Sequence, residues 1–195
     1  MPRVTTRREA SEAVSDAGWR FLLGMLRTSI PVATMAEAVA TAGRAVAACG
    51  PDADAHLRAE LRPDRVILTL TSARSLGIAL AHRITAAGLP TTPHGLDVVE
   101  LAIDALDIEA VRPFWEAVLP GEEPPIWFQQ MDSPRPQRNR IHLDICVPHD
   151  EAAARIEAAL AAGGHLVSDA HAPAFWVLAD PEGNEACVTT WQGRD

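Results

Sequence analysis

The sequence contains no lysine and no tyrosine, so all 17 of its basic residues are arginine. The absence of lysine excludes Schiff-base chemistry and a phosphate-binding loop of the P-loop type, because both need a lysine amine. The absence of tyrosine also removes acid–base pairs built from tyrosine and lysine.

Cysteine is scarce, and long apolar runs are missing. Cys49, Cys146 and Cys187 are widely spaced and form no C-x-x-C pattern, which indicates neither a disulfide framework nor a structural zinc site. No apolar stretch reaches the length of a membrane span, and residues 1–10 lack the apolar core of a secretory signal. These absences predict a soluble, cytoplasmic protein without a membrane partner.

The chain is acidic, with a formal net charge of −9. It has no run of arginines, so it lacks the concentrated basic patch that nucleic acids and anionic membranes bind. With 195 residues and a hydrophobic content of 48%, it can bury one core or two small ones. We therefore expect a small molecule as its ligand and no nucleic-acid partner.

The first half of the chain mixes helical and extended patterns. Thr6 and Thr34 each precede a glutamate by three residues, which is the capping-box signature of a helix start. Helices are predicted over 7–17, 35–48 and 75–87, and extended segments over 19–30, 57–61 and 66–71. The buried stripe predicted for the second helix consists of Met35, Val39, Ala42 and Val46. We expect a small α+β domain over 1–89, with helices on one face of an antiparallel sheet, and a proline-rich linker over 90–95.

The second half carries two similar blocks, at 98–104 and 140–146, which alternate apolar and polar side chains as strands do. Each block precedes a helical pattern, and further strand patterns follow. The predicted helices cover 108–119 and the stretch that begins after Asp150, and the further strands cover 125–131, 165–168, 174–179 and 186–191. We predict that residues 96–195 fold as paired β-α-β-β-β modules that form a curved mixed sheet around a cavity.

The repeat places polar side chains at matching points of two strands. Superposing the two blocks sets Glu100 opposite His142. Because successive side chains of a strand alternate between its faces, Asp144 and Cys146 share the face of His142, and Asp104 shares that of Glu100. If the modules close into a curved sheet, these polar faces line its concave side.

One interpretation of this polar face is a divalent metal site. Glu100, His142 and Gln129, with either Glu185 or Cys187, offer a mixed set of nitrogen, oxygen and sulfur donors that suits Zn, Fe, Ni, Mn or Co. The alternative is a polar pocket without metal, in which an arginine neutralises the glutamate and a hydrogen bond satisfies the histidine. On that alternative, Cys187 is a small buried apolar residue.

Three stretches of the second half carry a family resemblance: RNRIHLD at 138–144, AAGG at 161–164 and DPEGNEAC at 180–187. In their order and spacing they resemble the glyoxalase/bleomycin-resistance, or vicinal oxygen chelate, superfamily. The resemblance covers roughly residues 96–193. It implies the paired-module fold and an activity on a small oxygenated metabolite.

The resemblance also implies positions for metal ligands. Members of the superfamily place ligands on the first strand of each module and on the last strand, and the first two positions fall on Glu100 and His142. The glutamate common on the last strand falls at Cys187 in this chain, and Glu185 lies two residues earlier.

The first half resembles pterin-4a-carbinolamine dehydratase in the stretches 19–24, 50–54 and 66–71. That family uses a His-His-Pro signature and a further histidine after a late strand. Here Cys49-Gly50-Pro51 stands at the signature and Ser72-Ala73-Arg74 after the strand. Because general acid–base dehydration needs groups of suitable pKa, we expect this domain to be degenerate.

These patterns lead us to expect a glyoxalase-like enzyme, a lyase, isomerase or cyclase, that forms a homodimer. The candidate catalytic residues are His142, Glu185 and Asp144, and Glu100 and His142 are the candidate metal ligands. The candidate substrate-binding residues are Trp127, Gln129, Trp176 and Cys187. The alternatives are sequestration of a natural product without catalysis, as in bleomycin resistance, and residual dehydratase activity, which the absent histidines disfavour.

Overall fold

The computed structural model describes residues 6–109, 125–133, 141–161, 163–179 and 185–194. The chain divides into two compact units: one comprises Met1–Leu96 together with Trp191–Asp195, and the other comprises Asp97–Thr190. The second unit is therefore inserted between two segments of the first.

The first unit combines helices with an antiparallel four-stranded sheet, as the sequence predicts. Its strands are β1 (Arg20–Leu22), β2 (Met25–Pro31), β3 (Leu57–Leu61) and β4 (Arg65–Leu70), in the sheet order β1-β2-β4-β3. Its helices are α1 (Arg7–Ser15), α2 (Met35–Cys49), α3 (Ala53–His56) and α4 (Ser75–Ala86), and a 3₁₀ turn at Gly50–Asp52 leads into α3.

Both predicted capping sequences lie at helix starts. At α1 the box is complete, because the Glu9 amide donates to the Thr6 hydroxyl and the Thr6 amide donates to the Glu9 carboxylate. At α2 the Glu37 amide donates to the Thr34 hydroxyl, whereas the Glu37 carboxylate accepts from the amide of Ala33. Each start thus has polar partners for amides that lack an intrahelical acceptor.

One hydrophobic core joins the sheet of the first unit to its helices. Alternation along β2 and β4 directs Leu26, Ile30 and Leu68 to the face that packs against the helices. Trp19 is fully buried there and donates its indole N–H to the hydroxyl of Thr85. The core is thus closed without an unpaired indole.

The buried face of α2 differs from the predicted one. Met35, Val39 and Val46 are 47%, 59% and 47% exposed, and the buried positions of α2 are Ala38, Thr41, Ala45 and Cys49. The prediction was wrong for these three residues because it gave weight to the larger apolar side chains, whereas Ala42 does pack against the core. Small side chains on the inner face allow the helix to approach the sheet and α4 closely.

The segment over 19–30, predicted as extended, folds into a hairpin. Leu22 and Met25 pair across a two-residue turn, in which Leu23 and Gly24 both have positive φ, at 48° and 79°. Such turns match the twist of the flanking strands. The turn is not predicted from the sequence, because leucine rarely adopts a positive φ.

The proline-rich segment over 90–95 is held by backbone hydrogen bonds. Ser29 of β2 donates to the carbonyl of Thr92 over 2.9 Å, and Thr92 donates back to the carbonyl of Ser29 over 2.8 Å. β1 pairs with β2 only between Met25 and Arg27. Thr92 therefore continues the sheet where β1 ends.

The second unit is a six-stranded mixed sheet, as predicted. Its described elements are β5 (Val98–Ala105), β6 (Ile126–Gln130), β7 (Ile141–Cys146), α5 (Ala152–Ala161), β8 (His165–Ser168), β9 (Phe175–Ala179) and β10 (Glu185–Thr189). The sheet order is β6-β5-β7-β10-β9-β8. β6 runs parallel to β5 and β10 runs parallel to β7, whereas the other pairs are antiparallel. The predicted turn at 180–184 and most of the predicted helix at 108–119 lie outside the described residues.

One face of this sheet packs against α5. Val147, Leu178 and Val188 form a buried cluster with Ala152 at the start of the helix. Ile145 of β7 packs against the same cluster. Every helix in the described parts of the chain is too short or too polar to cross a membrane.

Two helical glycines give a matched test of the packing of the first unit. A methyl group on Gly77 of α4 would lie 1.7 Å from the carbonyl oxygen of Ser72, whereas a methyl group on Gly43 of α2 would meet nothing within 4 Å. We expect Gly43→Ala to stabilise the protein by about 0.5–1 kcal/mol through helix propensity. Gly77→Ala is expected to destabilise it despite the same gain, by more than about 1 kcal/mol.

Urea unfolding monitored by circular dichroism measures both effects. An equal stabilisation by the two substitutions would contradict the close approach of α4 to Ser72.

Candidate functional site

The register of the second sheet collects the polar side chains on one face. In the β5–β7 pair, Glu100 lies opposite Asp144 and Ala102 lies opposite His142. Residues directly opposite each other share a face, so these four lie on the same side of the sheet. We call this side the polar face. It also carries Asp104, Cys146, Trp127, Gln129, Glu185, Cys187 and Thr189.

Three of these side chains form a compact group of potential metal ligands. The ligand atoms of His142, Asp144 and Cys187 all lie within 4.8 Å of one another. His142 and Asp144 are two residues apart on β7, and the parallel pairing of β10 with β7 sets Cys187 beside Asp144. Asp144 is 6% exposed and Cys187 is 9% exposed. The group therefore lies within the sheet surface rather than on a loop.

The carboxylate that joins His142 in this group is Asp144 and not Glu100. Superposition of the repeat makes Glu100 and His142 equivalent positions of two strands, and in the sheet Glu100 lies opposite Asp144 while His142 lies opposite the small Ala102. Among the described residues, Glu100 does not belong to the group within 4.8 Å. A strand's alternation fixes the face of a side chain, but pairing with a neighbour fixes its position along that face.

Two other predicted residues lie on the polar face outside the group. Glu185 shares the polar face of β10 with Cys187 and is exposed at the start of that strand. Gln129 lies on β6 next to Asp104, and β5 separates β6 from the strand of His142. Cys187, rather than Glu185, is the β10 residue in register with Asp144.

His142 makes a direct contact with a carboxylate that the sequence reasoning did not select. The distance between His142 Nε2 and Asp104 Oδ2 is 3.0 Å. The side chain of Asp104 is 1% exposed, whereas that of His142 is 32% exposed. Alternation had placed Asp104 on the polar face, and its diagonal position relative to His142 is the signal that could have identified it.

The two tryptophans predicted to contact substrate lie on opposite faces. Trp127 is in register with Ala102 and so shares the polar face. Its indole Nε1 is buried and has no hydrogen-bond partner within the described ranges. Trp176, in contrast, is in register with Val188 and packs in the cluster under α5. Trp176 therefore does not line the polar face.

The cysteines have different surroundings. Cys146 lies on the polar face, where its Sγ is 2.9 Å from the hydroxyl of Thr189. Cys49 lies at the end of α2 in the first unit, where burial raises the pKa of its thiol and the charge of Arg83 opposes that rise. A thiol of raised pKa stays protonated at neutral pH, so Cys49 is a poor base and a poor nucleophile.

Side chains on the apolar face of β5 and β7 differ in their exposure. Ile145 lies against α5, whereas Ile141 and Leu143 are exposed, and so is Val99 on the same face of β5.

Comparison with protein families identifies the region that contains this face. Residues 100–189 match the family described as a glyoxalase-like domain. The second unit contains a glyoxalase-like domain. The match runs from β5 to β10 and includes every residue of the polar face. A comparison with curated proteins finds no match to the chain, and neither comparison supports the dehydratase resemblance of the first half.

The thiol environments predict an order of chemical reactivity. Cys187 of the glyoxalase-like domain is the most exposed of the three cysteines, at 9%, against 5% for Cys146 and 0% for Cys49. We expect an alkylating reagent at neutral pH to label Cys187 first and Cys49 last, with every rate several-fold lower than in urea. Peptide mass spectrometry over a time course measures this order, and fast labelling of Cys49 in the folded protein would contradict it.

The two tryptophans predict opposite responses to one substitution. Trp127→Phe removes an indole N–H that is buried without a described partner, a situation that costs about 1–3 kcal/mol. That gain offsets the lost packing, so we expect the urea midpoint to stay unchanged or rise. Trp176→Phe removes only core packing and is expected to destabilise the domain by about 1 kcal/mol or more. Equal losses in the two variants would show that Trp127 is an ordinary packed residue.

Proposed function

We propose that the protein is a glyoxalase-like enzyme that acts on a small oxygenated metabolite as a lyase, isomerase or cyclase. In this proposal a divalent metal is held by His142, Asp144 and Cys187. The observation that supports it is the convergence of an imidazole, a carboxylate and a thiol within 4.8 Å inside the matched domain.

The chemistry of the three donors fits a transition metal. A neutral imidazole, a carboxylate and a thiolate together carry two negative charges, which a divalent cation balances. Sulfur is a soft ligand, so the set favours Zn, Fe, Co or Ni over Mg or Ca, which prefer oxygen ligands. The burial of Asp144 and Cys187 strengthens this argument, because a metal compensates the desolvation of both anions.

The metal and the residues of the polar face would then have separate roles in the reaction. A bound metal would polarise a carbonyl or enolate oxygen of the substrate. Glu185 is exposed on the same face two residues before Cys187, and in this proposal it would accept or donate a proton at the substrate. Trp127 lies on the same face, and its ring would form an apolar wall for the substrate.

A second candidate is the sequestration of a natural product without turnover. It is favoured by Cys187, which stands where the superfamily resemblance implies a glutamate ligand, so the ligand set of the superfamily is incomplete in this chain. Tight stoichiometric capture of a copurified molecule without its conversion, followed by native mass spectrometry, would favour this candidate over the enzyme.

Metal content tests the proposal directly. We expect protein purified without a histidine tag to bind about one equivalent of Zn(II) or Co(II), with a sulfur-to-cobalt charge-transfer band from Cys187. Cys187→Ser should abolish this band and weaken Co(II) binding by more than about 10- to 100-fold, the range for losing an outer partner of a ligand. Asp144→Asn and His142→Ala should weaken binding to a similar extent.

Cys49→Ala is the matched control, because it removes a buried thiol from the other unit and should leave the band and the affinity unchanged. The metal proposal fails if the protein binds no stoichiometric divalent ion, or if Cys187→Ser binds Co(II) as tightly as the parent protein.

A further inference from the structure

The contact between Asp104 and His142 joins a third strand to the candidate metal group. Asp104 belongs to β5, whereas the group itself lies on β7 and β10. In the β5–β7 register, His142 faces Ala102, so Asp104 is its diagonal neighbour on the polar face. A small side chain at position 102 leaves the imidazole free to reach the carboxylate, over 3.0 Å.

The chemistry of this contact restricts the imidazole. An ionised carboxylate only accepts hydrogen bonds, so the histidine nitrogen that faces it carries the hydrogen. His142 Nε2 is that nitrogen. In a neutral imidazole, the lone pair then resides on Nδ1, and this nitrogen is the one able to bind a cation or accept a proton.

The burial of Asp104 argues for more than packing. Its side chain is 1% exposed, and the burial of a carboxylate is unfavourable unless charge-assisted hydrogen bonds compensate it. A neutral side chain would fill the same space at lower cost. An anionic acceptor has a function that a neutral side chain lacks, because it holds the opposing imidazole in one tautomer and one orientation.

We infer that Asp104 is the positioning residue of the site, because its carboxylate holds His142 with hydrogen on Nε2 and so assigns Nδ1 to the metal or to the substrate proton. This inference deepens the proposed function and rests on it for the use that Nδ1 serves. The site then extends over three adjacent strands, β5, β7 and β10.

The first test is made on the metal-free protein, so it does not depend on the proposed metal. In long-range ¹H–¹⁵N spectra of histidine-labelled protein, we expect His142 to show a downfield, slowly exchanging proton on Nε2, assigned by its loss in His142→Gln. Asp104→Leu should remove this signal. Asp104→Asn keeps a carbonyl acceptor and should retain the signal at a less downfield position.

The second test measures Co(II) affinity in the same variants. We expect Asp104→Leu to weaken binding by about 10- to 100-fold and Asp104→Asn to weaken it less, while the charge-transfer band from Cys187 persists at saturation. Asp97→Asn is the matched control, since it removes an ion pair to Arg155 in the same unit and should alter neither readout. If Asp104→Leu does not fold, Asp104→Asn alone decides through the smaller shifts of both readouts.

The outcomes separate the two proposals. An Nε2 proton that is absent from the parent protein, or unchanged in both Asp104 variants, overturns the positioning role even if the metal binds. An Nε2 proton that depends on Asp104 in a protein that binds no metal supports the positioning role and refutes the metal-dependent function.

Discussion

The antiparallel pairing of β5 with β7 is the constraint on which the candidate site depends. Its register sets Ala102 beside His142 and Glu100 beside Asp144, and it brings Asp104 within hydrogen-bonding distance of the imidazole. A slip by one residue would turn every side chain of one strand to the other face of the sheet. Carboxylates would then meet the hydrocarbon of the α5 cluster, so the cost of burying charge protects the register.

The same arrangement would couple the stability of the glyoxalase-like domain to the binding of a cation on its polar face. Asp104 and Asp144 are both buried on one face, and the hydrogen bond from His142 offsets part of the cost for Asp104. A cation bound by the folded domain and not by the unfolded chain would add its binding free energy to the stability of the fold.

The sequence predicts much of the fold, because alternation and capping act locally. The strands of both units and the box at Thr6 follow from neighbouring residues, and alternation placed His142 and Asp144 on one face. The features that could not be predicted from the sequence depend on contacts between residues that are distant in the chain. The register that sets Glu100 opposite Asp144 is a property of two strands together. The inner face of α2 is determined by its small buried side chains, which allow the sheet to approach the helix closely. The hairpin at Leu23 was missed because its turn lacks the usual residues.

The insertion of the second unit into the first has a consequence for how the protein can be dissected. Trp191 follows the last strand of the inserted unit and packs against the core of the first unit, which otherwise ends at Leu96. A fragment that stops at Leu96 therefore loses an aromatic side chain from its own core. In the intact chain, both ends of the segment 97–190 are attached to the first unit. A fragment over 97–190 lacks this attachment, so its folding includes the full entropic cost of bringing its two ends together.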